Sequence, residues 1–199
     1  MKLRNRGFRW VLLSLLWGLG YAAFAAEVEG VRFLEKLRFD AAQQDLVLNG
    51  AGVRTKFMVK VYAIGLYLPE KKHYGDEVLY LKGPKRVVIS VLMREITSEQ
   101  FVSALRDKLS SDLSSAELRA MQTSLDQINE IMSAVKSLRK GHIIALDYVP
   151  ERGTRVVING EPMGQYIPSE EFYRALLSGW VGDRPVNEKL KRALLGHGA

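Results

Sequence analysis

The sequence contains no cysteine, only six prolines and three histidines among its 199 residues. Without cysteine, the chain has no disulfide, thiolate nucleophile, zinc ribbon, iron–sulfur ligand or attachment point for a cysteine-linked lipid. Glycine and proline are too few for a collagen-like or low-complexity chain, and 47% hydrophobic residues are enough to form a packed core. The length suits one ordinary domain.

The motifs that accompany common enzymatic chemistries are also missing. His73, His142 and His197 are far apart in the sequence, none has a paired-ligand spacing, and no acidic calcium loop occurs. The chain has no P-loop, no G-x-S-x-G elbow, and no G-x-G-x-x-G between a strand and a helix. Carboxylates are scattered, without a pair spaced to face each other across a cleft. We therefore predict no metal site, no cofactor and no catalytic set.

The first nine residues contain four basic residues and no acidic one, and the whole chain has a formal net charge of +7. An apolar run at residues 10–19 follows the basic stretch, and Ala23-Phe24-Ala25 then gives an A-x-A pattern. A basic region, a short apolar region and small residues in this order are typical of a secretory signal peptide. The basic residues in question are Lys2, Arg4, Arg6 and Arg9.

The sequence thus predicts a signal peptide at residues 1–25, cut after Ala25, and an exported domain at residues 26–199 in the periplasm or outside the cell. The alternative is a retained membrane anchor, for which residues 10–26 are barely long enough. Cleavage would remove four positive charges and no acid, leaving about +3. A net charge this small does not indicate nucleic-acid binding, so we expect no nucleic-acid partner. Membrane contact is expected only through the transient signal peptide.

Hydrophobic patterning predicts an α+β fold. Two capping boxes, Thr97 with Gln100 and Ser114 with Glu117, predict helix starts, and the second opens one long amphipathic helix across residues 118–135. Gly50-Ala51-Gly52 is interpreted as a turn. Because strands and helices come in separate runs, we expect a mostly antiparallel sheet with a layer of helices packed on one face. The other predicted strands are 31–39, 45–49, 57–68, 86–93, 142–149 and 154–159, and the other helices are 169–180 and 187–195.

Residues 46–69, LVLNGAGVRTKFMVKVYAIGLYLP, resemble the signature of the chalcone isomerase superfamily. The shared features are a glycine-rich segment, an arginine, and a strand ending in Ala-Ile-Gly-x-Tyr-Leu. Residues 83–91 and 179–195 are similar to two later parts of that family, so the resemblance covers residues 44–195. Together with the signal peptide, it is similar to an exported bacterial, non-catalytic group. The fold implied is the chalcone-isomerase-like open-faced sandwich.

The resemblance also implies a site. Arg54 matches the arginine of the superfamily, and Tyr62 falls where its fatty-acid-binding members have a tyrosine that helps to hold a carboxylate. Phe101 falls where isomerases carry their catalytic tyrosine, and Lys108 and Gly179 replace an asparagine and a threonine. Because most of the isomerase hydroxyl set is missing, the resemblance implies ligand binding at Arg54, Tyr62 and Phe101 without catalysis.

Our leading hypothesis is a non-enzymatic exported protein that binds a small amphipathic carboxylate such as a fatty acid. One alternative is an isomerase or lyase of the same fold acting on a phenolic substrate; another is an envelope interaction module without a ligand. Arg54 and Tyr62 would lie about 26 Å apart on one unbroken strand at ~3.3 Å per residue. A shared ligand therefore requires a reversal or bulge within residues 50–57.

Overall fold

A computed structural model of the chain describes residues 24–198. The predicted signal peptide lies outside the described residues, except for Phe24 and Ala25, whose backbone begins the first strand, β1 (Phe24–Val28). In the described range, no helix is both long enough and apolar enough to cross a membrane.

The fold is built on a seven-stranded antiparallel sheet with the strand order β11-β10-β9-β6-β5-β4-β3. Two further pairs, β1 with β2 and β7 with β8, lie outside it. The strands after β1 are β2 (Val31–Leu34), β3 (Lys36–Phe39), β4 (Gln44–Lys56), β5 (Val59–Leu68), β6 (Lys85–Val91), β7 (Glu95–Thr97), β8 (Ser137–Arg139), β9 (Ile143–Val149), β10 (Gly153–Ile158) and β11 (Glu161–Ile167).

The helices cover one face of this sheet. They are α1 (Gly75–Tyr80), α2 (Ser98–Asp112), α3 (Ser115–Ala120), α4 (Gln122–Val135), α5 (Glu170–Val181) and α6 (Glu188–Leu194). Ile64, Leu66 and Leu68 of β5 enter the main core together with buried residues of the helices. Ala63 and Tyr67 alternate with them and face a smaller cluster that contains Phe33 of β2. The α+β prediction, with helices on one face of an antiparallel sheet, is confirmed.

The predicted turn at Gly50-Ala51-Gly52 is wrong, because all three residues lie inside β4, which also extends the predicted strand at 45–49. A Cβ atom on Gly50 would lie 2.1 Å from the carbonyl oxygen of Ala193, and one on Gly52 would lie 2.8 Å from Cδ1 of Leu190. The two glycines therefore allow α6 to lie directly on the backbone of β4.

The chain reverses instead at Phe57 and Met58, where the sequence predicts the start of a strand. Both residues have left-handed backbone angles, with φ of 47° and 65°. Two-residue hairpin turns of this kind usually contain Asn-Gly. Because Phe57-Met58 is not such a pair, the sequence gives no indication of a turn here. The strand predicted from residue 57 begins at Val59.

Both predicted capping boxes are confirmed, at the starts of α2 and α3. The single helix predicted across residues 118–135 is wrong, because Met121 interrupts it and separates α3 from α4. Its apolar stripe still faces the core, where Leu125, Ile128 and Met132 are buried. The predicted strand at 31–39 is likewise two strands, separated at Glu35. Strand β11, which follows Asn159-Gly160, is not among the strands that the sequence predicts.

Candidate functional site

The β4–β5 hairpin places Arg54 directly opposite Tyr62, and the two residues are Cα partners in the register of the strands. Directly opposed residues of antiparallel strands have their Cβ atoms about 4.5–5.5 Å apart and point to the same face. The reversal that a shared ligand requires is therefore present, at Phe57-Met58, and a bulge lies between Arg54 and Thr55. The guanidinium and the phenol can act on one group.

Both residues lie on the face that the helices cover. Tyr62 packs against the main core, and Gly52, two residues before Arg54, is the position on which Leu190 of α6 packs. Since alternate residues of a strand share a face, Arg54 continues the row formed by Gly50 and Gly52. Tyr62 thus lies between the sheet and the helical layer, and Arg54 shares its face of the sheet.

Trp180 of α5 completes the surroundings of Tyr62. Its indole Nε1 donates a hydrogen bond of 2.8 Å to the hydroxyl oxygen of Tyr62. Burial raises the pKa of Tyr62 above its ordinary value of 10, while the Trp180 hydrogen bond and the charge of Arg54 lower it in part. Tyr62 is therefore a neutral phenol near pH 7, and its own proton remains available to donate.

Arg54 is half-buried, and its Nη1 donates a hydrogen bond of 2.6 Å to the carbonyl oxygen of Thr55. Within residues 24–198, the ion pairs of this structure do not include Arg54. A guanidinium has five N–H donors, so four remain for another acceptor. A partly desolvated cation without a carboxylate partner is suited to an anionic ligand.

Phe101 lies on α2, half-buried against the core that also contacts Tyr62. Phe101 and Tyr62 thus pack against the same core, and contact of Phe101 with a ligand stays a prediction. Lys108 and Gly179 also meet, since a Cβ atom on Gly179 would lie 3.7 Å from Cγ of Lys108. The ammonium of Lys108 is occupied by Asp112 and by the carbonyl oxygen of Arg184.

Trp180 is a site residue that the sequence does not predict. It stands in the C-terminal segment that resembles the family, but nothing in the sequence links it to Tyr62, 118 residues earlier. No group of three or more histidines and carboxylates that could hold a metal occurs in residues 24–198. Two surface hollows lie away from the predicted site residues. One is lined by Tyr148 and Glu170 among others, and the second by Glu188 and Arg192 among others.

The fold is that of an α+β protein with a curved antiparallel sheet and one layer of helices. The Arg54–Tyr62 pair lies on the face of the sheet that the helices cover. The chain belongs to the chalcone isomerase-like family, whose model matches residues 25–196. Among solved structures, it is similar to the crystal structure of a fatty-acid binding protein of Arabidopsis thaliana. The TM-score is 0.68 at 16% sequence identity, over 84% of this chain and 93% of that chain. A search of curated proteins finds no match.

Proposed function

We propose that this chain is a non-enzymatic member of its family that binds a small amphipathic carboxylate, such as a fatty acid, at Arg54 and Tyr62. The observation that carries the proposal is the cross-strand placement of a half-buried guanidinium, without a carboxylate partner among the described residues, beside a neutral phenol. The guanidinium can donate two parallel N–H···O bonds to a carboxylate, and the phenol can donate a third.

The main core, against which Tyr62 packs, offers apolar side chains to an acyl chain. Phe101 and Met121 are partly buried hydrophobic residues packed against the core beneath the helices. Methionine is unbranched and adapts to flexible apolar ligands. The similarity to a fatty-acid binding protein supports the same ligand class, because the shared fold covers most of both chains.

The residues around the pair favour binding over catalysis. Phe101 and Gly179 have no hydroxyl group at the positions where the family resemblance places the tyrosine and threonine of isomerases. Lys108 is held by Asp112, so its ammonium is not free to polarise a substrate. With these substitutions, Arg54 and Tyr62 can hold an anion, whereas Phe101 and Gly179 offer no hydroxyl group to move a proton.

We further propose that the protein acts after export, as a member of the exported bacterial group. The support is the order of basic, apolar and small residues in positions 1–25. Mass spectrometry of the protein recovered from a cell expressing the whole chain tests this directly. An N-terminus at Ala26 is expected, whereas an intact residue 1–25 segment would contradict cleavage.

Native mass spectrometry of the purified protein tests the ligand. We expect a co-purifying acyl carboxylate on the wild-type chain that is lost in Arg54→Gln. Lys56→Gln is a matched control, because it removes a positive charge two residues away at an exposed position. Equal acyl occupancy in both variants would contradict binding at Arg54. Turnover of a chalcone, assayed in parallel, would favour the isomerase alternative.

A further inference from the structure

The turn of the β4–β5 hairpin is the most exposed apolar feature of the described chain. Phe57 is 89% exposed, Met58 is 95% exposed and Val59 is 51% exposed. We call these three residues the hairpin tip. Phe57 and Met58 also have positive φ angles, which large side chains adopt at a cost. Asn-Gly would form this turn without that cost. The chain thus keeps two large apolar side chains where neither burial nor backbone conformation favours them.

Basic residues flank the hairpin tip in the sequence and lie at the same end of the sheet. Lys56 precedes it, with its Nζ 5.7 Å from the centre of the Phe57 ring, and Lys60 follows it and pairs with Glu29. Arg94 and Lys140 lie at the same end of the sheet, because Met93 N–H bonds to the carbonyl of Val61 and Lys140 N–H bonds to that of Arg94.

Most of these cations form no ion pair with an acidic residue of the described chain. Lys56, Arg94 and Lys140 are exposed, and none takes part in an ion pair within residues 24–198. The acids at this end are largely engaged, since Glu29 pairs with Lys60 and Glu95 pairs with Arg139. The end of the sheet that carries the hairpin tip is therefore basic around an apolar point.

We propose that the hairpin tip docks the protein onto an anionic lipid bilayer. Phe57, Met58 and Val59 enter the boundary between headgroups and acyl chains, and Lys56, Arg94 and Lys140 meet the anionic headgroups. Apolar side chains ringed by cations are the pattern that binds such an interface. A stable protein partner would need an interface of about 800 Å² on each side, which three protruding residues do not supply.

This docking surface does not depend on the ligand proposed at Arg54. It would add a lasting membrane contact to the transient one that the sequence predicts for the signal peptide. If both proposals hold, the ligand site lies close to the turn that touches the bilayer, since Arg54 and Tyr62 are the third residue pair from that turn.

The absence of cysteine allows a direct test on the full chain. Met58→Cys carries an environment-sensitive fluorophore at the tip, and Lys71→Cys carries it at an exposed position three residues after β5 ends, as the control. With phosphatidylcholine vesicles that contain phosphatidylglycerol, we expect a blue shift and quenching by brominated lipid at position 58 alone. Pure phosphatidylcholine vesicles should give a much smaller change.

Three results would overturn the proposal. One is no change at position 58 at any lipid concentration, as expected if only the N-terminal apolar segment binds vesicles. The second is an equal change at both positions. The third is a change at position 58 that follows protein concentration without lipid, which would assign the tip to a second copy of this chain.

A double variant, Phe57→Asn with Met58→Gly, separates docking from folding. Asn-Gly suits the turn, so thermal stability should be kept or raised. Vesicle binding should weaken by at least about tenfold, because the apolar contact is gone. The acyl carboxylate should still co-purify, so that this outcome is distinguishable from a failure of the ligand proposal. Vesicle binding equal to wild type would contradict docking by the tip.

Discussion

The indole of Trp180 donates its N–H to the hydroxyl oxygen of Tyr62, which joins α5 to β5 beside Arg54. This bond has a direction that matters for function. Because the oxygen accepts from the indole, the phenolic proton can point away from Trp180 and toward a ligand held by Arg54. A residue of the C-terminal half thereby orients a residue of the β4–β5 hairpin.

Trp180→Phe should raise the pKa of Tyr62 further, because the indole hydrogen bond lowers it in the wild type. The measurement is the pH titration of the ¹³Cζ signal of Tyr62, assigned by comparison with Tyr62→Phe. An unchanged or lower pKa in Trp180→Phe would contradict this role of the indole.

Gly50→Ala should destabilise the protein more than Gly52→Ala. The new Cβ at position 50 meets backbone oxygen at 2.1 Å, whereas at position 52 it first meets the movable end of Leu190 at 2.8 Å. Overpacking of this kind costs about 1–3 kcal/mol when side chains can yield, and more when only backbone is present. Urea unfolding of both variants measures the difference. Equal free energies of unfolding would show that α6 does not lie on β4 as described.

Arg86→Met should reduce the free energy of unfolding by about 3–5 kcal/mol, because it leaves a buried carboxylate without its partner. Arg86 donates from Nε and Nη2 to the two oxygens of Asp147 at 2.6 and 2.7 Å, and Asp147 is 2% exposed. The double variant Arg86→Met with Asp147→Leu should recover most of the loss. A double variant no more stable than the single one would contradict this explanation.

Lys85 predicts a pH dependence of stability. Burial lowers its pKa from 10.5 to about 8, although the negative charge of Glu170 opposes this shift. Between pH 8 and 10.5 the unfolded chain therefore binds more protons at this residue than the folded one, so its contribution to stability rises with pH.

Relative to Lys85→Met, the wild-type free energy of unfolding should rise by on the order of 2 kcal/mol between pH 7.5 and 9.5. The comparison cancels the other groups that titrate in this range. Urea unfolding of both proteins at the two pH values gives the result. A constant or falling difference would mean that Lys85 is not desolvated in the folded protein.

Local signals in the sequence predicted several features correctly. The side chains of Thr97 and Ser114 make their capping bonds with the residues three positions later, because a capping box depends only on one helical turn. The layered α+β architecture follows from the same kind of information, since the strands and helices come in separate runs. The family resemblance points to Arg54 and Tyr62, whose part in ligand binding stays a prediction.

The features that could not be predicted from the sequence either depend on distant residues or lack a local sequence signal. Gly50 and Gly52 are explained only by α6, more than 130 residues later, whereas the local sequence favours a turn. Phe57 and Met58 form a reversal without a turn residue, and this reversal is what pairs Arg54 with Tyr62. The Trp180 hydrogen bond depends on that pairing and on the position of α5.

The central claim, that Arg54 holds a carboxylate, is tested most directly by calorimetric titration with decanoate and with decanol, which share an alkyl chain and differ in the headgroup. Wild type should bind decanoate more tightly than decanol. Arg54→Gln should weaken the affinity for decanoate about 10–100-fold, because hydrogen bonds to a charged group are lost. The affinity for decanol should stay unchanged. Equal decanoate affinity in wild type and Arg54→Gln would contradict the account.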